Sequence, residues 1–219
     1  MARLIVFDCD GTLVDSQHLI VAAASQAFVA HGLAPPPAPA VHAVIGLSLD
    51  MAFAMLHPDS GLEERALLVE GYRSAWRSLR EDGMREPLYP GALATIEELG
   101  RRGHTLAIAT GKSRPGLLSV LDHHGLTPLF ASLQTADRHP SKPDPSMLEQ
   151  AMHETGSAPG ATLMVGDTTF DMAMAAAAGV GAVGVGWGYH PVDALAQAGA
   201  TTVLERFEDL LGLVPERAG

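Results

Sequence analysis

The sequence predicts an α/β protein with a doubly wound, Rossmann-like parallel sheet as its core and an inserted helical cap. Short apolar runs alternate with segments of helical periodicity along most of the 219 residues, which is typical of parallel strands joined by helices. The first run, residues 4–7, contains no polar residue, as in a strand buried on both faces. Residues 15–85 carry helical patterns only. We therefore expect a core of residues 1–14 and 86–219 and a cap of residues 15–85.

The remaining elements follow from periodicity and from helix-stop signals. Strands are expected at 104–109, 130–134, 162–165, 182–185 and 201–204, and helices at 17–30, 50–56, 62–79, 92–102, 115–124, 146–155 and 172–178. The proline-rich run 34–39 cannot continue a helix, because proline lacks an N–H and fixes φ. We interpret it as a linker or a stiff turn.

Composition excludes several classes of protein. Apolar residues make up 47% of the chain and charged residues 18%, which excludes disorder, and no apolar run reaches the roughly 18–20 residues of a membrane span. The formal net charge of −11 argues against nucleic acid as a partner. The N-terminus carries no secretory signal, so a soluble, cytoplasmic protein is expected. The single cysteine, Cys9, excludes an intrachain disulfide.

Two carboxylates follow the first strand. Asp8 and Asp10 should emerge on one side of an extended chain, with Cα atoms roughly 6–7 Å apart. They would repel each other without a cation between them, and oxygen ligands of this kind suit Mg²⁺. Gly11 follows, at the sheet edge where open α/β folds bind ligands. We therefore expect a metal site here.

Other predicted strands also end in polar residues. Thr110 and Gly111 follow the second strand, Lys142 lies in a proline-rich loop after the third, and Asp167 follows the fourth, with Asp171 four residues later. A spacing of four at a helix start places Asp167 and Asp171 on one face. All these groups should therefore lie at the carboxyl edge of the sheet.

Two glycine-containing patterns are not expected to bind nucleotides. The segment Gly111-Lys112-Ser113 is similar to part of a P-loop, but Leu106 stands where that motif needs its first glycine. Residues 179–184 match a dinucleotide-binding pattern, but their glycines surround a predicted strand instead of lying between a strand and a helix. Lys112 is therefore assigned no role.

Taken in order, the motifs resemble those of the haloacid dehalogenase superfamily in its phosphatase branch. The first motif is the segment 8–16, Asp-Cys-Asp-Gly-Thr-Leu-Val-Asp-Ser; the second is at Thr110, the third at Lys142, and the fourth is the segment 166–171. The resemblance covers nearly the whole chain. It implies Mg²⁺-dependent hydrolysis of a phosphomonoester through an aspartyl-phosphate intermediate.

The resemblance implies a role for each residue by position. Asp8 is the nucleophile that takes up the phosphoryl group, and Asp10 is the general acid and base. The Thr110 hydroxyl and the neighbouring Gly111 N–H hold the phosphate. We expect the Cys9 side chain to pack and its backbone N–H to be a further phosphate donor.

The same resemblance supplies the charged partners of the nucleophile. Lys142 neutralises Asp8 and the phosphate, which would otherwise repel each other. Asp8, Asp167 and the backbone carbonyl of Asp10 bind Mg²⁺. Asp171 orients metal-bound water or Lys142.

Other chemistries of the superfamily fit the sequence less well. Dehalogenases and phosphonoacetaldehyde hydrolases lack an acid at the position of Asp10, and a sugar phosphomutase would carry a cap histidine near position 20, where Ile20 stands. The chain resembles the phosphoglycolate phosphatase group. We therefore expect a small phosphorylated metabolite as substrate, selected by Gly46, Leu47 and Ser48 in the cap.

Several alternatives stay open. A pyrophosphatase, a nucleotide phosphatase, and a non-catalytic module that binds a phosphorylated metabolite all remain, as do a monomer and a homodimer. The cap loop contains no Lys or Arg, so phosphomonoesters should be preferred over pyrophosphate unless Arg73, Arg77 or Arg114 reaches in. Tyr189 and His190 lie in a loop that either borders the site or forms an ordinary turn.

Overall fold

The computed structural model describes residues 3–214 and has one parallel sheet at its centre. Its strands are β1 (Leu4–Phe7), β2 (Thr105–Thr110), β3 (Ser132–Thr135), β4 (Thr162–Gly166), β5 (Gly181–Val185) and β6 (Thr202–Leu204). They lie in the order β3-β2-β1-β4-β5-β6, and neighbours run parallel. The predicted doubly wound α/β fold is confirmed, and each strand begins and ends within two residues of its predicted bounds.

The helices of this part of the chain are α1 (Gln17–Ala30), α2 (Ala38–His42), α3 (Leu49–Leu56), α4 (Leu62–Glu81), α5 (Ala92–Arg101), α6 (Arg114–His123), α7 (Ser146–Thr155), α8 (Thr169–Ala178), α9 (Val192–Gln197) and α10 (Leu210–Leu213). Helix α2 was not predicted, so interpreting 34–39 only as a linker or turn was wrong. Pro39 lies in its first turn, where a missing N–H removes no helical hydrogen bond. Within residues 3–214, no helix is long and apolar enough to cross a membrane.

Strand β1 is buried on both of its faces. Ile5 and Phe7 point into one core, where Phe7 stacks on Phe207 and contacts the edge of Phe130. Side chains of β1 on the other face belong to a second core, which is rich in methionine and alanine from α7 and α8. An unbroken apolar strand is what two packed faces require. The strand thus forms a rigid base for the residues that follow it.

The helices α1 to α4 form a helical segment (residues 17–81) with a small core of its own. That core is made of Ala27, Phe28, Phe53, Leu68 and Val69. The two connections between the segment and the sheet run antiparallel, with Asp15 N–H donating to the Pro87 carbonyl and Tyr89 N–H to the Leu13 carbonyl. Among the described residues, all six strands lie outside this segment.

The helical segment covers the carboxyl edge of the sheet. The loop between α2 and α3 (residues 43–48, the α2–α3 loop) lies against the strand ends, and Ser48 N–H donates to Ser141 Oγ at 2.9 Å. A Cβ added to Gly111 would lie 2.4 Å from the Leu47 carbonyl oxygen and 2.5 Å from that of Gly46. Glycine at position 111 therefore permits the closed arrangement.

We expect Gly111→Ala to push the α2–α3 loop away from the sheet. Overpacking costs about 1–3 kcal/mol, so hydrogen–deuterium exchange at the Ser48 amide should accelerate about tenfold or more. Gly100→Ala is the control, because a Cβ there meets no atom within 4 Å. Unchanged exchange at Ser48 in Gly111→Ala would contradict this packing.

Candidate active site

Asp8 directly follows strand β1 and lies at the centre of the site. Asp8 Oδ1 accepts a hydrogen bond from the Cys9 N–H at 2.7 Å and lies 3.0 Å from Lys142 Nζ. Its Oδ2 is buried and has no hydrogen-bond partner among residues 3–214. A buried carboxylate oxygen without a partner is unfavourable unless a cation or a reacting group occupies the position beside it.

Asp167 lies in the turn between β4 and α8, and Asp171 lies in the first turn of α8. Asp167 Oδ1 accepts from Thr12 Oγ1 at 2.9 Å, and its Oδ2 accepts from Tyr189 N–H at 3.0 Å. Asp171 forms a capping box with Thr168, whose N–H and Oγ1 both donate to Asp171 Oδ2. The local structure of the helix start therefore fixes Asp171, whereas contacts with distant parts of the chain fix Asp167.

Gly11 allows the backbone after β1 to approach Asp167 closely. Its φ is +85°, and a Cβ added there would lie 2.2 Å from Asp167 Oδ2 and 2.7 Å from the Tyr189 ring. A side chain at this position would combine backbone strain with a steric clash. The glycine thus brings the first and fourth predicted motifs together.

Lys142 balances this group of acids. Its Nζ lies 3.0 Å from Asp8 Oδ1 and donates to Asp171 Oδ1 at 2.6 Å, with no exposed side-chain surface. Burial alone would lower the pKa of Lys142, but Asp171 and Asp8 raise it above its ordinary value. The lysine therefore carries a fixed positive charge beside Asp8.

The loop that carries Lys142 is anchored by His139. One ring nitrogen, Nδ1, lies 2.6 Å from Ser146 Oγ, and the other, Nε2, lies 2.9 Å from Gln134 Oε1. The Gln134 amide in turn donates to Glu154. This network joins the loop to β3 and α7, and it holds the lysine in position.

The site carries more negative than positive charge. Asp8, Asp167 and Asp171 each offer an oxygen, and these atoms all lie within 4.8 Å of one another. Burial raises the pKa of Asp8 from 3.8 to about 7; Lys142 opposes this shift and Asp171 reinforces it. Burial, followed by Asp8 and Asp171, also raises the pKa of Asp167 well above its ordinary value. A hard divalent cation would relieve this repulsion.

The donor set suits such a cation. The cluster contains only carboxylate oxygens, which Mg²⁺ prefers over nitrogen or sulfur ligands. Asp10 was predicted to contribute its backbone carbonyl, and its side chain lies outside the cluster. The unpartnered Asp8 Oδ2 offers a ligand atom. The residues present therefore fit Mg²⁺.

The predicted phosphate ligands lie at the same edge of the sheet. Thr110 is buried at the end of β2, and its Oγ1 accepts from the Lys112 N–H at 3.2 Å. The Cys9 N–H, predicted as a phosphate donor, donates to Asp8 instead. Burial, with Asp10 next in size, raises the pKa of the Cys9 thiol well above its ordinary value. A thiolate nucleophile is thus disfavoured.

Lys112 is a site residue that the sequence analysis missed. Its Nζ lies 3.0 Å from Asp10 Oδ1 and 4.6 Å from the centre of the Trp76 ring, so it joins the sheet edge to α4. Burial lowers the pKa of Lys112, but Asp10, Cys9 and Glu86 together outweigh this effect, and the net shift is upward. Lys112 stands just after the end of β2 and near the start of α6, a position that is typical of ligand-binding residues. The sequence analysis considered it only as part of a P-loop and therefore gave it no role.

Tyr189 and His190 border the site, so the loop that carries them is more than an ordinary turn. The Tyr189 hydroxyl accepts from the Ser16 N–H at 3.1 Å, and its ring stacks on His42 with 5.8 Å between centroids. His190 Nδ1 accepts from the Thr169 N–H at 3.2 Å. Burial lowers the pKa of His190, which favours this neutral acceptor.

A cavity of about 690 Å³ lies between the helical segment and the sheet edge. Asp8, Asp10 and Thr110 line it from the side of the sheet edge. Of the three residues predicted to select the substrate, Gly46 and Leu47 line the cavity, whereas Ser48 does not.

The three arginines considered for the cavity differ in position. Arg73 and Arg77 line it. Arg114 does not, and its guanidinium donates to the Leu133 carbonyl at 3.3 Å. Arg73 and Arg77 of α4 therefore reach the cavity, as does Arg80 of the same helix, whereas Arg114 does not.

The charge imbalance predicts that Asp8 destabilises the metal-free protein at neutral pH. A carboxyl group with a raised folded-state pKa stabilises the fold below about pH 4, and this contribution is lost as pH rises towards 7. In excess chelator at pH 8, Asp8→Asn should increase the free energy of unfolding by on the order of 2–4 kcal/mol. Urea unfolding followed by circular dichroism measures the difference, which should nearly vanish at pH 4. A less stable Asp8→Asn variant at pH 8 would oppose this interpretation.

Comparisons with known proteins agree with this geometry. A model of the haloacid dehalogenase-like hydrolase family matches residues 5–185. The chain is 35% identical over 215 residues to the probable phosphatase IndB of Dickeya dadantii, covering 97% of this chain and 93% of the relative. It is 31% identical to phosphoglycolate phosphatase 1 of Pseudomonas aeruginosa, covering 100% and 82%. A crystal structure of a predicted phosphoglycolate phosphatase from Haemophilus somnus superimposes with a TM-score of 0.88 at 25% identity, covering 98% of both chains. The chain therefore belongs to the haloacid dehalogenase-like hydrolases.

Proposed function

We propose that this hydrolase is a Mg²⁺-dependent phosphatase that cleaves a small phosphomonoester through an aspartyl-phosphate at Asp8. The observation that carries the proposal is the buried Asp8 carboxylate, which has one oxygen held by Lys142 and the Cys9 N–H and the other without a partner. This carboxylate lines the cavity. The names of the relatives from Dickeya and Pseudomonas support the choice of a phosphatase.

In the first step, an Asp8 carboxylate oxygen attacks the phosphorus atom and the bond from phosphorus to the alcohol oxygen breaks. Protonated Asp10, which lines the same cavity, donates its proton to the leaving oxygen. Splitting the reaction at a covalent intermediate replaces one difficult displacement by two easier ones.

In the second step, a water molecule attacks the phosphorus and gives its proton to Asp10. The bond from phosphorus to Asp8 breaks, which restores both carboxyl groups and releases inorganic phosphate. Lys112 positions Asp10 through the contact at 3.0 Å. Lys142 lies beside Asp8 and offsets the negative charge of the phosphoryl group.

Mg²⁺ would be held by Asp8, Asp167 and the backbone carbonyl of Asp10. When bound, it would polarise the phosphoryl oxygens and reduce the repulsion between an anionic substrate and the acids. Asp171 holds Lys142 by the hydrogen bond at 2.6 Å. The Thr110 hydroxyl is placed to donate to the phosphate. Closure of the helical segment would exclude bulk water, which strengthens these interactions.

Phosphatase activity with added Mg²⁺ is the expected result, and excess EDTA should abolish it reversibly. Asp8→Asn should lower kcat by about three orders of magnitude or more, because the nucleophile is lost. Release of inorganic phosphate from a panel of phosphorylated metabolites measures both effects. The control Asp193→Asn changes an exposed carboxylate in α9 and should leave kcat unchanged. Full activity in EDTA, or an Asp8→Asn variant within tenfold of the parent, would contradict the proposal.

A further inference from the structure

The cavity is larger than a phosphate group and a short leaving group require. Its volume is about 690 Å³, within the range of roughly 300–1,000 Å³ found for sites that take ligands of drug size. Asp8, Asp10 and Thr110, which stand at or after the ends of β1 and β2, form part of the sheet side of its wall. The rest of the cavity is therefore available to the alcohol part of a phosphate ester.

Most of this remaining wall is apolar and comes from the helical segment. Ile20 of α1, Phe53 and Leu56 of α3, and Tyr72 and Trp76 of α4 all line it. The three aromatic rings form one continuous group, with centroids 5.7 Å apart between Phe53 and Tyr72 and 5.9 Å apart between Tyr72 and Trp76. An apolar wall of this kind is best covered by an apolar ligand.

The charged side chains of the cavity already have partners. Arg80 lies 3.2 Å from Glu86, and Lys112 lies 3.0 Å from Asp10. The two more exposed cations, Arg73 and Arg77, both lie within 4 Å of Glu70.

Arg73 and Arg77 share the single carboxylate of Glu70, and Glu81 and Asp137 add negative charge to the cavity wall. Within residues 3–214, each cation that lines the cavity already contacts a carboxylate, with which a leaving group that carries a carboxylate or a second phosphate would compete. Desolvating an unpaired charge is costly. The wall therefore disfavours anionic leaving groups.

We propose, as a refinement that rests on the proposed phosphatase function, that the preferred substrate is a phosphomonoester of an alcohol with an uncharged, apolar body of about the size of a ring. The phosphate lies at Asp8 and Thr110, and the apolar body lies against Ile20, Tyr72 and Trp76. Esters with small anionic leaving groups, such as 2-phosphoglycolate, are poor substrates in comparison.

The first experiment compares kcat/KM with Mg²⁺ for benzyl phosphate, hexyl phosphate, glycerol 3-phosphate, 2-phosphoglycolate and pyrophosphate. The four esters all release a primary alcohol, so the leaving oxygen is of one kind and differences report on binding of the alcohol part. Benzyl phosphate should exceed 2-phosphoglycolate by about tenfold or more. A preference for 2-phosphoglycolate or pyrophosphate would overturn the inference and leave the phosphatase function standing.

A variant pair locates the preference in the cavity. Ile20→Lys should lower kcat/KM for benzyl phosphate about tenfold and raise the relative rate with 2-phosphoglycolate. Val29→Lys places the same charge on the same helix at an exposed position, 60% accessible, and should change neither value. If Ile20→Lys does not fold, Ile20→Ser should still lower the benzyl phosphate rate. Equal substrate ratios in the parent and in a folded Ile20 variant would overturn the assignment.

Binding of unreactive analogues separates this inference from the proposed function. Calorimetry with Mg²⁺ should show tighter binding of benzylphosphonate than of phosphonoacetate, and Ile20→Lys should remove the difference. If no ester is hydrolysed but this binding preference is observed, the phosphatase function fails and the apolar ligand class stands. If phosphonoacetate binds more tightly, the apolar ligand class fails whatever the activity.

Discussion

At the carboxyl edge of the sheet, three buried carboxylates lie together with a single buried lysine. Much of the remaining structure can be understood from this excess of negative charge. Asp8, Asp167 and Asp171 lie within a few ångströms of one another, and Lys142 contacts two of them. The burial that raises the pKa of Asp8 and Asp167 makes the site unfavourable when empty. The same excess of negative charge favours a divalent cation at this site, as the proposed mechanism requires.

The fold holds these charges together by the strand order of the sheet, by a close backbone approach and by a helix cap. The parallel order places β1 between β2 and β4, so the groups that follow the three strands meet at one edge. Gly11 lets the chain after β1 approach Asp167, and the capping box of α8 fixes Asp171. The helical segment closes the edge through the α2–α3 loop, for which Gly111 leaves room. The fold thus holds acids that repel one another close together, which lowers its stability.

The sheet and its motif loops could be predicted from the sequence because they depend on short-range patterns. Strand β1 has no polar residue, and Asp8, Thr110, Lys142 and Asp167 all stand at or after strand ends. What could not be predicted depends on contacts between distant parts of the chain. Lys112 is positioned by its contacts with Asp10 and with Trp76, which is 36 positions away in sequence.

The cavity could not be predicted from the sequence for the same reason. Ile20, Phe53 and Trp76 lie on three different helices, and each looks like an ordinary apolar position in its own helix. Only their packing over the sheet edge shows that they leave a shared space. The short helix α2 escaped prediction for a different reason, because Pro39 is unfavourable in a helix interior but tolerated in a first turn.

The central claim is that Asp8 forms a covalent bond to phosphorus. Rapid quenching of the enzyme during turnover of a phosphomonoester, followed by borohydride reduction, converts an acyl phosphate at an aspartate into homoserine, which peptide mass spectrometry detects. The account predicts homoserine at position 8 only, dependent on substrate and Mg²⁺ and absent from Asp8→Asn. Turnover with no reducible group at Asp8, or with the modification at Asp10, Asp167 or Asp171, would contradict it.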